Sequence, residues 1–387
     1  MDFPFSFGQK SSLLLIFFVH GIVFSLLLLR KGFIHKNNSS SWLSLLLFLY
    51  AMYITPYMLG YANWYSGGWT RETLFFVPFM QVLLIGPVVY FYTKSLLNRS
   101  YKLSKRDYFH FVPAILYSVY SLVIFIVDKL VLEEFYFYAD GRDKDLANWY
   151  QSVGLISMTY YLLVSLRYYF NYRKLIVEKV SYADTLLFKW IRNFMLAFLG
   201  ILVLRVLFFI INPEWGNFGS QFWHYIAFSF VFYYIAVTGY SNSVKQAVLS
   251  EEKFEVVNVF EDFSTVPKTA NPNIDIKQWK ERLSHLMMEK ALFKNPRLTL
   301  SDVANELGTT TKIISTVVNS GFDMNFNDFV NYFRIKAIEE KLNNGEQDTS
   351  TLLGIAFDCG FNSKSTFNRA FKKSTSLTPK EYVEKLS

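Results

Sequence analysis

Apolar residues form long continuous stretches up to about residue 240, whereas beyond residue 275 they recur at helical spacing among charged residues. A helix needs roughly 20 mostly apolar residues to cross about 30 Å of hydrocarbon. Seven stretches approach this length, at residues 12–29, 42–59, 74–93, 108–127, 149–170, 186–211 and 222–240. The pattern therefore predicts an all-α chain in which residues 1–240 form a bundle of seven transmembrane helices.

The residues in and around these stretches agree with a membrane environment. Trp42 and Trp149 stand at the ends of stretches, where interfacial aromatic rings are common. Pro56, Pro78 and Pro87 fall inside stretches, which membrane helices tolerate better than soluble helices do.

Positive charges collect in alternate connections between the stretches. These connections carry Arg30, Lys31 and Lys36 after the first stretch, Lys94, Arg99, Lys102, Lys105 and Arg106 after the third, and Arg173, Lys174 and Lys179 after the fifth. The positive-inside rule then puts the N-terminus outside and everything beyond Tyr240 in the cytoplasm. We therefore expect a multi-pass protein of a bacterial inner membrane.

Three polar side chains within the predicted spans are candidates for sensing a ligand: Arg205, His20 and Gln81. An ionisable group at membrane depth indicates function by default, although Arg205 lies about two turns from the predicted outer end and could extend its charge to the interface. For His20 and Gln81, a structural hydrogen bond between helices is the favoured interpretation.

The composition and short motifs of the chain do not indicate a catalytic or metal-binding site. Of the 387 residues 52% are hydrophobic and 18% are charged, and the net charge of +8 is partly that of the basic membrane loops. The chain contains no HExxH or GxSxG motif, no paired carboxylates within a span and no Cys/His set at metal-ligand spacing. The sequence therefore predicts neither an enzyme nor a cofactor or metal site, and the single cysteine, Cys359, is expected to be a small buried hydrophobe.

The chain becomes polar after the last stretch. Residues 241–274 carry Pro267 and Pro272 among Thr, Asn and Ser, which predicts a cytoplasmic linker. A short amphipathic helix is compatible with the start of this linker, but its pattern is too short to indicate a dimerising coil.

Residues 275–387 contain two consecutive helix-turn-helix patterns. In the first, at about residues 299–319, Thr299 and Asp302 have the spacing of a capping box and Gly308 supplies the turn before the second helix. A long amphipathic helix follows and ends near Gly345.

The second pattern, at about residues 350–373, is sharper. Its first helix is followed by a turn at Cys359, Gly360 and Phe361, and its second helix turns Phe367 and Phe371 inward. The opposite face carries Lys364, Ser365, Asn368, Arg369 and Lys372, which suit base edges and phosphates. A solvated basic face on a small helical domain is the alternative, and the tandem arrangement favours DNA binding.

These residues resemble the DNA-binding domain of the AraC/XylS family of transcription regulators. The resemblance rests on Ile355-Ala356-Phe357, Gly360-Phe361, Phe367, Arg369, Phe371-Lys372-Lys373, Thr378-Pro379 and Tyr382, with Leu300, Ala304, Leu307, Phe326, Arg334-Ile335 and Ala337 upstream. It implies two recognition helices that enter successive major grooves of double-stranded DNA.

The resemblance also implies which side chains contact DNA. They are Thr310, Thr311, Lys312 and Ser315 in the first recognition helix and Ser363, Lys364, Ser365, Thr366, Asn368 and Arg369 in the second, to which the basic Lys372 and Lys373 are added. Thr316 and Ile313 depart from the family pattern, so the first helix is expected to contribute little sequence specificity. Gly354, Ser376 and Val383 are further departures.

Together the two halves predict a membrane-bound, one-component transcription regulator that responds to an unknown small-molecule or envelope signal. A homodimer is an expected state because linking two short DNA sites raises their effective affinity. The alternatives are a membrane transporter or membrane enzyme with an accessory helix-turn-helix tail, and a scaffold whose tail no longer binds DNA.

Overall fold

The computed structural model describes residues 5, 6, 8–98, 100–183, 189–211, 218–251 and 275–386. Some of the predicted features lie outside this range. They are the loop residue Arg99, residues 186–188 of the sixth predicted span, and residues 252–274, which make up most of the predicted linker. Within it the chain forms fifteen α-helices, which confirms the predicted all-α fold.

The helices are numbered here in chain order. They are α1 (Gln9–Ile34), α2 (Asn38–Tyr61), α3 (Gly68–Phe76), α4 (Val82–Leu97), α5 (Val112–Phe125), α6 (Asn148–Lys179), α7 (Lys189–Ile211), α8 (Gln221–Glu251), α9 (Ile276–Glu289), α10 (Leu300–Glu306), α11 (Thr311–Gly321), α12 (Phe326–Asn343), α13 (Leu352–Asp358), α14 (Lys364–Thr375) and α15 (Pro379–Leu386).

The chain divides into two compact units. The first unit contains residues 1–169 and 189–258, and the second contains residues 170–188 and 259–387. The end of α6 therefore belongs to the second unit together with the two helix-turn-helix motifs.

Five helical segments of the described chain are long and apolar enough to cross a membrane. They are Gln9–Ile34, Asn38–Tyr61, Asp107–Val131, Lys189–Ile211 and Gln221–Val244, and Val82–Leu97 is a shorter apolar helix. The third and fifth predicted stretches, residues 74–93 and 149–170, do not correspond to any of these five segments. The fifth lies within the longer helix α6, and the third is divided between two helices.

The division of the third stretch has a local cause. Helix α3 ends at Phe76 and α4 begins at Val82, so the stretch 74–93 is not one helix as the sequence analysis expected. Val77, which precedes Pro78, has an extended backbone with φ −91° and ψ 115°. A residue before proline avoids the helical region because the proline ring clashes with it. By contrast, Pro56 and Pro87 lie inside α2 and α4.

The second unit has two hydrophobic cores. Helices α9, α10 and α11 share the first core with the start of α12, where Val303, Val317 and Phe329 are fully buried. Helices α13, α14 and α15 pack around the second core with the end of α12. The long helix α12 therefore joins two helical lobes, one formed with α9, α10 and α11 and the other with α13, α14 and α15.

Local signals account for the helix boundaries in these lobes. The predicted capping box is present, because Asp302 N donates to Thr299 Oγ1 (3.1 Å) and Thr299 N donates to Asp302 Oδ2 (2.8 Å). Gly308 and Gly360 occupy the two turns with φ of +62° and +93°, a region that glycine adopts without steric cost.

Candidate DNA-binding surface

The second recognition helix, α14, carries one uninterrupted polar face. Ser363 caps the helix, and its Oγ accepts a hydrogen bond from Thr366 N at 3.2 Å. Phe367 and Phe371 are buried in the second core. The side chains on the opposite face are all exposed, namely Lys364, Ser365, Asn368, Arg369 and Lys372. Because positions one turn apart share a helix face, these five form a single surface with three positive charges.

Arg369 carries the one guanidinium group among these five side chains. Its guanidinium can donate two parallel hydrogen bonds to guanine, and Asn368 beside it can pair with adenine. Partial burial and the positive charge of Arg173 both lower the pKa of Arg369 from its usual value. Arginine remains charged at neutral pH after such a shift, so this face keeps its three positive charges.

Two of the predicted contact residues on α14 have structural partners instead. Thr366 is only 4% exposed, and its Oγ1 lies 2.8 Å from Ser363 Oγ within the helix cap. Lys373 forms an ion pair with Asp328 at the start of α12, with Nζ and Oδ2 2.6 Å apart. The geometry therefore does not bring Thr366 to the DNA-binding face, and it directs Lys373 toward α12.

The first recognition helix, α11, offers a weaker surface. Thr310 caps it by accepting a hydrogen bond from Ile313 N at 3.4 Å. Thr311 and Ser315 are partly exposed, and Lys312 is exposed. The face thus has one cation where α14 has three.

Asn319 is a polar residue of α11 that the sequence analysis did not select. It is exposed one turn beyond Ser315, and its Nδ2 lies 3.4 Å from Ser315 Oγ and 3.0 Å from Glu178 Oε2. The four-residue spacing from Ser315 was a signal that could have included it, whereas nothing local predicts its contact with Glu178.

The three sensing candidates of the first unit occupy different environments. Arg205 is 3% exposed, and its guanidinium donates to Tyr53 OH on α2 and to Gln151 Oε1 on α6. The charge is therefore enclosed by α2, α6 and α7 and hydrogen-bonded to neutral side chains. His224, which the sequence analysis passed over, is 1% exposed, and both of its ring nitrogens lack a hydrogen-bond partner.

Neither His20 nor Gln81 makes the hydrogen bond between helices that the sequence analysis favoured. The His20 ring lies 4.4 Å from the rings of Phe24 and Tyr233, and its buried Nε2 has no hydrogen-bond partner. Gln81 stands in the break before α4, where its Nε2 donates to Pro78 O at 3.1 Å. Both differences arise because the neighbouring aromatic rings and the helix break were not predictable from hydropathy.

Among the residues described, no group of three His, Cys, Asp or Glu side chains is placed to hold a metal ion. Cys359 is fully buried in the second core, as predicted, and burial raises the pKa of its thiol to about 11.

Comparison with known families bears on the second unit. Residues 282–385 match a family model described as a helix-turn-helix domain, and this model is of the AraC type. Comparison with the curated proteins and with the solved structures gives no significant match. Domains of this type are DNA-binding modules of transcription regulators and are not an enzyme family. The segment from residue 282 to 385, with its two lobes and its basic recognition helix, is an AraC-type helix-turn-helix domain.

Proposed function

We propose that this protein is a membrane-bound, one-component transcription regulator of bacteria. One observation carries the proposal: an AraC-type helix-turn-helix domain at residues 282–385 shares a chain with five long apolar helical segments among the residues described. In a regulator of this kind the membrane helices sense a signal and the second unit binds promoter DNA, without a separate relay protein.

The basic end of α6 supports a cytoplasmic location for the DNA-binding unit. Arg173, Lys174 and Lys179 lie in the last turns of this helix, in a segment that belongs to the same unit as the helix-turn-helix lobes. The positive-inside rule assigns such a basic segment to the cytoplasm. The N-terminus then lies outside the inner membrane and the helix-turn-helix domain lies inside the cell.

The hydrogen bonds of Arg205 support a sensing role for the first unit. This side chain links α7 to α2 and to α6 through Tyr53 and Gln151. A buried ionic group held by neutral partners is costly, and such groups in membrane proteins mark functional sites. A small-molecule or envelope signal that displaced one of these bonds would alter the packing of α6.

DNA recognition is assigned mainly to α14. Arg369 and Asn368 read base edges, while Lys364 and Lys372 neutralise phosphates. Lys312 adds a phosphate contact from α11. A homodimer on the membrane would raise the affinity of this single site through effective concentration.

The test uses the full-length chain reconstituted in lipid nanodiscs and a library of genomic DNA fragments. Wild-type protein should capture a defined subset of fragments, with affinity that falls steeply as salt rises. A variant with Lys364, Arg369 and Lys372 replaced by alanine should capture none. Absence of salt-dependent capture by the wild type would reject the proposal, and solute uptake by vesicles that contain the protein would favour the transporter.

A further inference from the structure

Two carboxylates are buried close together in the connection between α5 and α6. Asp143 and Asp145 are 6% and 3% exposed, and Asp145 N donates to Asp143 Oδ1 at 2.9 Å. The topology predicted above places this connection outside the membrane. Because an aspartate is rarely buried without a partner, the groups around these two determine which of them is charged.

The carboxylates accept hydrogen bonds from neutral donors. Asp143 Oδ2 accepts from Tyr65 OH at 2.7 Å. Asp145 Oδ1 accepts from Tyr117 OH at 2.6 Å, and its Oδ2 accepts from Met80 N at 2.8 Å. Tyr65 follows α2, Met80 follows α3 and Tyr117 belongs to α5. The pair therefore lies where three parts of the first unit meet.

The cations of this region have other partners. They are Lys144, which pairs with Asp140, Lys129, which pairs with Glu72, and Arg71, which lies over the ring of Phe75. Within the part of the chain that the structure describes, no lysine or arginine forms an ion pair with either carboxylate of the pair. The other titratable groups that act on the pair are phenols, namely Tyr65, Tyr117, Tyr138 and Tyr150. A phenol ordinarily titrates near pH 10, so these side chains stay neutral where carboxyl groups titrate.

Two carboxylates that share a buried site without a cation repel each other, so one of them holds its proton to higher pH. Burial and the negative charge of Asp145 raise the pKa of Asp143, and burial also raises the pKa of Asp145. A proton on Asp143 Oδ2 has an acceptor at hand, because the Tyr65 hydroxyl can accept a hydrogen bond as well as donate one. The pair therefore retains one proton at a pH where an exposed carboxyl group is ionised.

A single residue joins the pair to the buried charge of the first unit. Gln151, in the first turn of α6, is 4% exposed. Its Nε2 donates to Asp145 O, and its Oε1 accepts from the guanidinium of Arg205. The same guanidinium donates to Tyr53 OH on α2. A displacement of the connection that carries Asp145 would therefore change the hydrogen bonds of Arg205 and the start of α6.

We propose that Asp143 and Asp145 form a proton-binding switch on the outer side of the membrane, and that external acidity is a signal that this protein senses. This inference rests on the proposed function and deepens it by naming the signal. At acid pH the shared proton keeps the connection packed and Gln151 in place. Because the pKa of Asp143 is raised in the folded state, this stabilisation is lost as the pH rises through the raised pKa. Both carboxylates are then charged, and their repulsion displaces the connection and breaks the contact between Asp145 O and Gln151.

Infrared absorption of the full-length protein in nanodiscs would detect the bound proton directly, because a protonated carboxyl group absorbs apart from a carboxylate. At neutral pH the wild type should show a protonated-carboxyl band that is absent from Asp143→Asn and that disappears from the wild type at alkaline pH. Glu134→Gln is the matched control, since Glu134 is an exposed acid of the same connection, and this variant should keep the band. A wild type without the band, or an equal band in Asp143→Asn, would overturn the inference.

Capture of genomic DNA fragments by the same nanodiscs tests whether the proton acts on DNA binding. Between mildly acid and mildly alkaline pH the affinity of the wild type should change, by at most about tenfold per pH unit for one coupled proton. Asp143→Asn should lose most of this change, and Glu134→Gln should retain it. Equal pH dependence in the wild type and Asp143→Asn would overturn the signalling role. Failure of the wild type to capture DNA at any pH would instead reject the proposed function, and the infrared band would still report on the proton site.

Discussion

Arg334 donates hydrogen bonds to both the hydroxyl and the carbonyl of Ser181, at 3.1 and 3.4 Å, although 153 positions separate the two residues. The same guanidinium donates to Phe293 O and Asn295 O, each at 2.9 Å. Arg334 is 2% exposed, and burial lowers its pKa to about 10. The buried guanidinium of Arg334, on helix α12, therefore links Ser181 to the connection before α10.

Loss of this charge should destabilise the second unit. Arg334→Met would leave Phe293 O without a donor and would remove one of the two donors of Ser181 O and of Asn295 O. Hydrogen bonds to a charged group contribute about 1.5–3 kcal/mol each. We expect the free energy of unfolding to fall by about 3 kcal/mol, and by less in Arg334→Lys, which retains a donor but loses the planar fork.

The single cysteine provides the measurement. Cys359 is fully buried in the second core, so the rate of its labelling by a thiol reagent reports how often that core opens. Lys336→Ala is the control, because Lys336 lies on the same helix in an exposed pair with Glu339 and should change stability by under about 0.5 kcal/mol. Equal labelling of the Arg334→Met variant and the wild type would contradict the prediction.

The two turn glycines should differ in their tolerance of alanine. A Cβ at Gly360 would lie 2.3 Å from Phe293 O and 2.9 Å from Lys294 O, whereas a Cβ at Gly308 meets nothing within 4 Å. Gly308→Ala should therefore cost only the left-handed backbone penalty of about 1–2 kcal/mol. Gly360→Ala should cost clearly more, because the backbone must shift as well.

Hydrogen exchange of the α13 and α14 amides in the full-length protein would compare the two glycine variants. The exchange protection should fall further in Gly360→Ala than in Gly308→Ala. Similar protection in both variants would mean that the close approach of Gly360 to Phe293 is easily relieved.

Arg369→Ala should change sequence preference as well as affinity. A bidentate contact with guanine contributes about 1–3 kcal/mol of discrimination, so the variant should lose selectivity at one base position of the site. Binding to a set of single-base operator variants measures this loss. Lys373→Ala serves as the comparison, since Lys373 is paired with Asp328 and should not alter base preference. A uniform decrease over all operator variants would assign Arg369 to phosphate.

Alkaline pH should destabilise the second core through Cys359. Burial raises the pKa of this thiol from 9.0 to about 11, so the folded state keeps its proton over a range in which the unfolded chain loses it. The associated stability is complete below pH 9 and is lost as the pH rises toward 11. Hydrogen exchange across this range, corrected for the intrinsic rate, should show falling protection in the wild type. Cys359→Ala should remove this part of the decrease, and an identical decrease in both proteins would assign it to other groups.

The helix-turn-helix motifs were predictable because their signals are local. Each signal involves residues only a few positions apart in the chain. Examples are the capping box of Thr299 and Asp302, the turn at Gly360, and the inward spacing of Phe367 and Phe371. The helical period also predicted that Lys364, Asn368 and Arg369 share one exposed face. It did not predict the burial of Thr366, because this residue lies three positions after the N-cap Ser363 and forms hydrogen bonds within the cap.

The sequence by itself determined an all-α chain with long apolar helices and a tandem DNA-binding motif, since hydropathy, capping and helical period act over one or two turns. Only the tertiary structure decided that Arg205 reaches Tyr53 and Gln151, that α3 and α4 are separate helices, and that Ser181 meets Arg334. The residues in these contacts are far apart in the chain. Packing brings them together, and buried polar groups require hydrogen-bond partners. The basic residues after the fifth stretch read in the sequence as a loop. In the fold they form the end of α6, and this end belongs to the DNA-binding unit because Tyr172, Ile176 and Val180 are buried there.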